Sequence, residues 1–180
     1  MAAIHASDAR ARETRLDELI FRVDRMDDWR MDRVGSALAG TNPTVMKRLP
    51  AAFAVIGDVQ FLPGYSVAIA DRPGVERLSD LPRADRVEFL TSMETLGEAV
   101  ERACAALDSG FRRVNLEILG NTDAFLHAHV SPRYEWELPH LVSKPVWLYP
   151  ADRWSDPDNA LAPQHDALRA RITAEITNLV

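Results

Sequence analysis

A short apolar segment that carries two histidines, Ala124–Val130, is the strongest constraint on how this chain folds. Side chains alternate between the two faces of a β-strand, so an extended backbone puts His127 and His129 on the same face. The opposite face is then apolar and can anchor the strand to a core through Leu126, Ala128 and Val130. At two residues' rise the histidines are about 7 Å apart along the strand. Such a pair can bind a metal or act together on a phosphoryl group.

The composition narrows the classes of function. The 180 residues suit one domain with a substantial core. The net charge of −6 argues against general nucleic-acid binding, which needs clustered Lys and Arg, but a local pocket can still hold a small anion. The single cysteine, Cys104, excludes an internal disulfide and a Cys-rich zinc site. No apolar run approaches the roughly 18 residues of a membrane span, and the N-terminus lacks a signal-like apolar segment, so we expect a cytoplasmic protein.

A hairpin and a long helix are predicted before the histidine segment. Ala51–Ile56 and Tyr65–Ala70 have the composition of strands and lie close enough in sequence to pair. The helix is expected to begin at Ser79 or Asp80 as the N-cap and to stop at Gly110 as the C′ residue. Its apolar stripe is predicted to contain Val87, Leu90, Met93, Leu96, Val100, Cys104 and Leu107.

Further elements are predicted on either side of this region. A helix is expected from about Asp8 to Arg33, and a strand over Val114–Leu119 precedes the histidine strand. The tail is expected to be extended over Val146–Pro150. It then forms an amphipathic helix with one apolar side, which carries Leu168, Ile172, Ile176 and Leu179.

This order of elements predicts an α+β fold with a mainly antiparallel sheet, one long packed helix, and helical extensions at both termini. We expect a single domain over residues 1–180. Its core is predicted at about 44–150, with an N-terminal extension over 1–40 and a C-terminal tail over 151–180.

The histidine segment and its flanks resemble the histidine triad (HIT) family, and most closely its diadenosine-polyphosphate-hydrolase-like branch. The family signature is His-φ-His-φ-His-φ-φ, often followed by Pro-Arg, and the corresponding residues here are Phe125-Leu126-His127-Ala128-His129-Val130-Ser131-Pro132-Arg133-Tyr134. Upstream, Leu62–Ile69, Arg72-Pro73 and Leu78–Leu81 are similar to the family's hairpin and helix entry. The resemblance covers about Pro50 to Tyr134 and implies the HIT fold and a homodimer.

The resemblance also implies roles for the histidines. Aligned on Pro132-Arg133, His127 takes the place of the family's nucleophile and His129 that of its third histidine. Phe125 replaces the first histidine, and its side chain cannot hydrogen-bond or orient the nucleophile. The implied reaction is attack by His127 on the α-phosphate of a (di)nucleoside phosphate, giving a nucleotidyl-histidine that water cleaves. A histidine suits this step because its ordinary pKa of about 6.5 leaves it mostly neutral at pH 7.

Three residues are candidates for binding phosphate. Asn121 and Thr122, beside Gly120, can cradle a phosphate with side-chain and backbone donors. Arg133 can neutralise phosphate charge or only brace the end of the strand. No cofactor is expected, although a divalent cation can accompany the phosphates of the substrate.

Three further residues are candidates for binding the nucleoside. The resemblance implies that Asp58 accepts the ribose hydroxyls, and Tyr65 and Val67 are candidate walls of a base pocket. Asp58 and Asn121 are also common turn formers, so the turn interpretation stays open for both residues.

Two other functions are compatible with the sequence. A cupin-like metal enzyme would use the His-x-His pair with Glu135 as a further ligand, although no clean third ligand has the right spacing. A non-catalytic nucleotide-binding or regulatory protein would account for Phe125. The region of Trp147 and Trp154 is interpreted as packing or a subunit contact, which supports the homodimer.

Overall fold

The computed structural model describes residues 28–180. The chain divides into two compact units, Met1–Asn42 and Pro43–Val180. No helix in the described part of the chain is both long enough and apolar enough to cross a membrane.

In the first unit, the described residues form a single short helix, α1, over Arg33–Leu38. Asp32 caps it, because the Asp32 carboxylate accepts the Gly35 backbone N–H at 2.7 Å. The helix predicted from about Asp8 lies largely outside the described residues. Its predicted end is wrong, because residues 28–32 form turns and coil.

The second unit contains a five-stranded antiparallel sheet of order β1-β2-β3-β5-β4. The strands are β1 (Val45–Arg48), β2 (Ala52–Ile56), β3 (Ser66–Ala70), β4 (Phe111–Glu117) and β5 (His127–Tyr134). The helices are α2 (Arg83–Leu107), α3 (Asp152–Ser155) and α4 (Asp166–Leu179). The hairpin and the mainly antiparallel α+β arrangement predicted from the sequence are confirmed.

One face of the sheet packs against α2 through a row of small residues. Ala54, Ala68 and Ala128 are direct partners across the three central strands, and all three are fully buried. Phe89 and Ala103 of α2 belong to the same core. Small side chains on the sheet let a helix lie close to it. Because this face of β5 is fixed in the core, alternation directs both histidines to the opposite face.

The boundaries of α2 differ from those predicted. The N-cap residue is Pro82, which fits because a proline has no N–H to leave unpaired at this position. Ser79 and Asp80 instead lie in a preceding 3₁₀ turn, where Asp80 accepts backbone N–H groups. The C-cap is Asp108, and Gly110 does not take the positive φ of a C′ glycine. The carboxylate of Asp108 binds the Gly110 N–H instead, at 2.7 Å.

The apolar stripe predicted for α2 is correct only in part. Leu96, Val100 and Cys104 are buried as predicted, and burial raises the pKa of the Cys104 thiol to about 11, as expected of an inert core cysteine. The helix buries a face that follows Phe89, Leu96 and Ala103, each two helical turns from the next. Three residues of the predicted stripe fall outside this face and are exposed: Val87, Leu90 and Leu107.

Strands β4 and β5 are also shifted relative to prediction. β4 begins at Phe111 rather than Val114, and β5 begins at His127 and continues to Tyr134. Pro132 is tolerated inside β5 because pairing with β3 ends at Val130, so no β3 partner needs its missing N–H.

The C-terminal region completes the second unit. The predicted helix is confirmed as α4, whose Ile172 and Ile176 are fully buried against the core. The predicted extended piece is wrong, because Val146–Leu148 forms a 3₁₀ turn after Pro145. This turn carries Trp147 onto the histidine-bearing side of the sheet, where its ring contacts His129.

Candidate active site

The two histidines lie side by side on the sheet face away from α2. His127 is 4% exposed and His129 is 8% exposed, and their ring centroids are 4.7 Å apart. Across the strands, His129 pairs with Val67 of β3 and with Glu117 of β4. The predicted pairing of the imidazoles on one face is therefore confirmed, and Val67 is the direct β3 neighbour of His129.

His127 is oriented by its own backbone. Its Nδ1 lies 2.8 Å from the main-chain carbonyl oxygen of Phe125. A carbonyl only accepts, so Nδ1 carries the proton, and in the neutral ring Nε2 keeps its lone pair. The side chain of Phe125 cannot hydrogen-bond, but its backbone supplies the orienting contact, and its ring packs 4.8 Å from that of His127. Orientation of the proposed nucleophile thus survives the loss of the first histidine.

His129 is held as a neutral ring. Burial, and secondarily the charge of the neighbouring His127, lower the pKa of His129 to about 4. Its Nδ1 lies 2.7 Å from the hydroxyl of Tyr65, and the two rings stack 6.1 Å apart. At neutral pH this imidazole is therefore uncharged and has a single N–H proton.

Tyr65 makes a contact that was not predicted from its place in the sequence. It was predicted as a wall of a base pocket, and the structure joins its phenol to His129 instead. Gly57 makes the position possible, because a Cβ there would come within 2.3 Å of the Tyr65 ring. The residue that follows the first strand of the hairpin is therefore a glycine, against which the tyrosine ring lies.

An aromatic wall covers His129. The Trp147 ring lies 4.6 Å from the His129 ring at a steep angle, and its Nε1 donates to Glu117 at 3.1 Å. Trp154 stacks on Trp147 with 5.0 Å between centroids and also meets Tyr65 edge-on. Both tryptophans were expected from the sequence to take part in packing or a subunit contact, and their position beside the histidines was not predicted. An irregular segment separates the two tryptophans from the histidine strand, so no periodicity in the sequence could predict their position.

Arg133 is engaged away from the histidines. Its guanidinium forms a buried ion pair with Glu137, with side chains only 4% and 1% exposed, and the N–O distance is 2.8 Å. It also donates to three carbonyls of the following segment, those of Leu141, Val142 and Lys144. Of the two predicted roles, its contacts match bracing the strand end, since these acceptors engage all three nitrogens of the guanidinium. A contact between Arg133 and phosphate stays a prediction.

The same ion pair anchors the segment that leads to Trp147. Glu137 accepts the backbone N–H of Tyr134 and the hydroxyl of Tyr149 as well as the guanidinium of Arg133. Burial, followed by the bond to Glu137, raises the pKa of Tyr149 to about 12. Strand β5 and the 3₁₀ turn over the histidines are consequently tied together at one buried carboxylate.

The geometry of a cupin-like metal site is not present. Glu135 is exposed and pairs with Arg112 at 3.0 Å, so it does not join His127 and His129. Among residues 28–180, no three His, Cys, Asp or Glu side chains gather as metal ligands would. The five-stranded sheet of the described residues is also open, with β1 and β4 at its edges, and not a barrel, which corrects that alternative.

The remaining candidate residues lie in loops. Asp58 is half-buried just after β2, where its carbonyl accepts the Leu161 N–H at 2.8 Å. Asn121 and Thr122 are exposed in the loop between β4 and β5, which ends immediately before the histidine strand. Thr122 donates to Asp123 at 3.4 Å.

Comparisons with known proteins define the fold. No family model matches the sequence, and no curated protein matches it. The chain resembles the crystal structure of a histidine triad protein from Marinobacter aquaeolei VT8, with a TM-score of 0.60 and 18% identity over 76% of this chain and 90% of that one. It also resembles a histidine triad (HIT) protein from Sinorhizobium meliloti 1021, with a TM-score of 0.58 and 20% identity over 73% of this chain and 87% of that one. A third similar structure is that of a hypothetical histidine triad nucleotide-binding protein from Sulfolobus tokodaii strain 7, with a TM-score of 0.58 and 14% identity over 81% of this chain and 91% of that one.

These likenesses show that the chain has the fold of histidine triad proteins. The α+β class and the antiparallel five-stranded sheet predicted from the sequence are thereby confirmed.

Proposed function

We propose that this protein is a HIT-family hydrolase or nucleotidyl transferase of the diadenosine-polyphosphate-hydrolase type. It acts at the α-phosphate of a (di)nucleoside phosphate through a nucleotidyl-histidine intermediate. The observation that carries the proposal is the bond between His127 Nδ1 and the Phe125 carbonyl, at 2.8 Å. That bond leaves Nε2 of the neutral ring as a nucleophile in a rigid strand.

The proposed chemistry has two displacements at phosphorus. In the first, a bond forms from His127 Nε2 to the α-phosphorus as the bond to the leaving phosphate oxygen breaks. In the second, water attacks the same phosphorus and displaces the imidazole, which returns to its neutral state with its proton on Nδ1, while the proton lost by the water passes to the solvent. His129, whose ring lies 4.7 Å from that of His127, donates to a nonbridging oxygen in both steps.

Substrate binding is assigned to the loops around the histidine face. Asp58 accepts the ribose hydroxyls, and Asn121 and Thr122 cradle the phosphates at the end of the sheet where His127 begins. Val67, the cross-strand neighbour of His129, forms part of the base pocket. A divalent cation accompanies the phosphates of the substrate.

A nucleotide panel tests the proposed function. The purified protein is incubated with diadenosine polyphosphates, nucleoside phosphoramidates and nucleotide sugars, and AMP or another nucleoside monophosphate is measured as product. The variant His127→Ala should abolish turnover and still bind AMP, because it removes the nucleophile and little of the binding surface. Absence of any release by the wild-type protein, or full activity of His127→Ala, would overturn the proposal.

A second candidate function is nucleotide binding without turnover. One observation favours it: both imidazoles are almost fully buried, with Trp147 packed on His129. In that case AMP binds to the wild-type protein while every member of the panel remains intact.

The homodimer implied by the resemblance stays a proposal, but a different observation now supports it. Trp147 and Trp154 pack on the histidine face of their own chain, so they no longer support a subunit contact. β4, however, is an edge strand of seven residues, and Leu116 on it is 41% exposed. Such edges pair readily with another strand. A light-scattering mass near the 20.1 kDa of one chain at micromolar concentration would count against the dimer.

A further inference from the structure

Tyr65, the residue immediately before β3, forms a side-chain hydrogen bond with His129 of β5. Its hydroxyl lies 2.7 Å from Nδ1, and the two rings are within 11° of parallel. Nδ1 is therefore engaged by the protein, and Nε2 is the nitrogen of this ring left to meet a substrate.

Tyr65 is itself held rigidly. Its carbonyl accepts the Gly57 N–H at 2.8 Å and the side-chain amide of the buried Gln60 at 2.9 Å. Its ring lies against Gly57, where any Cβ would collide with it, and Trp154 closes another side at 6.0 Å. A phenol fixed in this way holds its hydroxyl at hydrogen-bond distance from the Nδ1 of His129.

The direction of this bond decides what His129 can do. A neutral imidazole has one N–H and one lone pair, so a hydroxyl that donates to Nδ1 places the ring proton on Nε2. A ring with its proton on Nε2 donates to a phosphate oxygen, and the opposite tautomer would point a lone pair at that oxygen. Because the lowered pKa of His129 keeps the ring neutral, its ability to donate from Nε2 depends only on which of its two nitrogens carries the proton.

We propose that Tyr65 is a positioning residue that fixes His129 as the Nε2–H tautomer, so that this imidazole acts as a hydrogen-bond donor to the substrate phosphate. The proposal deepens the proposed function and rests on it for the identity of the acceptor. Among residues 28–180, His127 on β5 and Glu117 on β4 are the neighbours of His129 on this face that can carry charge. Glu117 is engaged by Trp147 Nε1, so Tyr65 is the partner that selects the tautomer.

The test is the ¹⁵N NMR spectrum of the histidine rings at neutral pH, with the His129 signals assigned by their loss in His129→Ala. The wild-type protein should show a protonated Nε2 and an unprotonated Nδ1 at His129. Tyr65→Phe removes only the hydroxyl and should give a mixture of both tautomers. The matched control is Tyr149→Phe, which removes a phenol that bonds to Glu137, and it should keep the wild-type tautomer.

The measurement needs no turnover, so it stands apart from the proposed function. A proton on Nδ1 of His129 in the wild-type protein, or an unchanged tautomer in Tyr65→Phe, overturns the role of Tyr65. Because the wild-type spectrum alone can decide against the proposal, it stays falsifiable even if the variant folds poorly. On a substrate that the wild-type protein cleaves, Tyr65→Phe should lower kcat by about 10-fold or more and leave KM nearly unchanged, since a transition-state donor is weakened. A change in KM alone also contradicts the proposal.

Discussion

Removing the guanidinium of Arg133 is expected to destabilise the fold strongly rather than to weaken phosphate binding alone. In the variant Arg133→Ala, the buried carboxylate of Glu137 loses the cation that bonds to both of its oxygens, at 2.8–3.1 Å. The carbonyls of Leu141, Val142 and Lys144 each lose the bond from this guanidinium at the same time. The segment that carries Trp147 over His129 is then tied to β5 less firmly, since of these contacts only the bonds of Glu137 to Tyr134 and Tyr149 remain.

The expected magnitude follows from burial. Breaking a buried ion pair by removing one partner costs about 3–5 kcal/mol, because the remaining charge stays buried without compensation. For a protein of this size, that loss corresponds to a fall in Tm of roughly 6–20 °C. The chain offers a matched control in Arg112→Ala, which breaks an ion pair of similar N–O distance, 3.0 Å, with Glu135, whose side chain is 71% exposed. The control should cost less than about 1 kcal/mol.

Urea and thermal unfolding of both variants, beside an AMP titration, check this expectation. A cost below about 1 kcal/mol for Arg133→Ala, equal to that of the exposed control, would refute the bracing role. If that small cost came with a large loss of AMP affinity, the phosphate-binding role would be supported.

Two further predictions concern the nucleoside contact and the buried imidazole. Asp58→Ala should weaken AMP binding by about 1.5–3 kcal/mol, because a charged hydrogen-bond partner is lost. The affinity for 2′,3′-dideoxy-AMP should not change. If calorimetric titration finds that the variant binds both ligands as tightly as the wild-type protein does, the assignment is wrong. The folded-state pKa of His129, about 4, lies below its ordinary value of 6.5, so between these pH values only the unfolded chain binds the proton. The contribution of His129 to the free energy of unfolding should therefore be fully present above pH 6.5, and the free energy of unfolding should fall by up to about 3 kcal/mol as the pH drops to 4. His129→Asn should flatten that part of the unfolding profile, and an identical slope in both proteins would contradict the shift.

Local patterns predicted the part of the fold that depends on alternation and order. The faces of β5 follow from the two-residue repeat around His127, and the hairpin follows from two short apolar runs. Boundaries were harder to predict where several residues competed for one role. Asp80 has the chemistry of an N-cap, but it caps a 3₁₀ turn, and Pro82 starts the long helix.

The contacts that complete the candidate site depend on long-range packing. Tyr65 and His129 are 64 residues apart, and only the register of β3 on β5 brings the phenol to the imidazole. Trp147 reaches His129 through a segment without periodicity that is held by the buried pair of Arg133 and Glu137. The backbone contact of Phe125 was missed for a different reason, because side-chain identity carries no information on where a carbonyl points.

The most direct test of the account is the site of the covalent intermediate. Wild-type protein is mixed with a substrate from the panel, quenched rapidly without acid, which preserves the phosphorus–nitrogen bond, and digested for mass spectrometry. Both histidines fall in one tryptic peptide that ends at Arg133, so fragmentation must place the adduct. An added mass of one nucleoside monophosphate on His127, retained in His129→Ala and lost in His127→Ala, is the predicted result. The same mass on His129, or turnover with no adduct in wild type and full activity in His127→Ala, would contradict it.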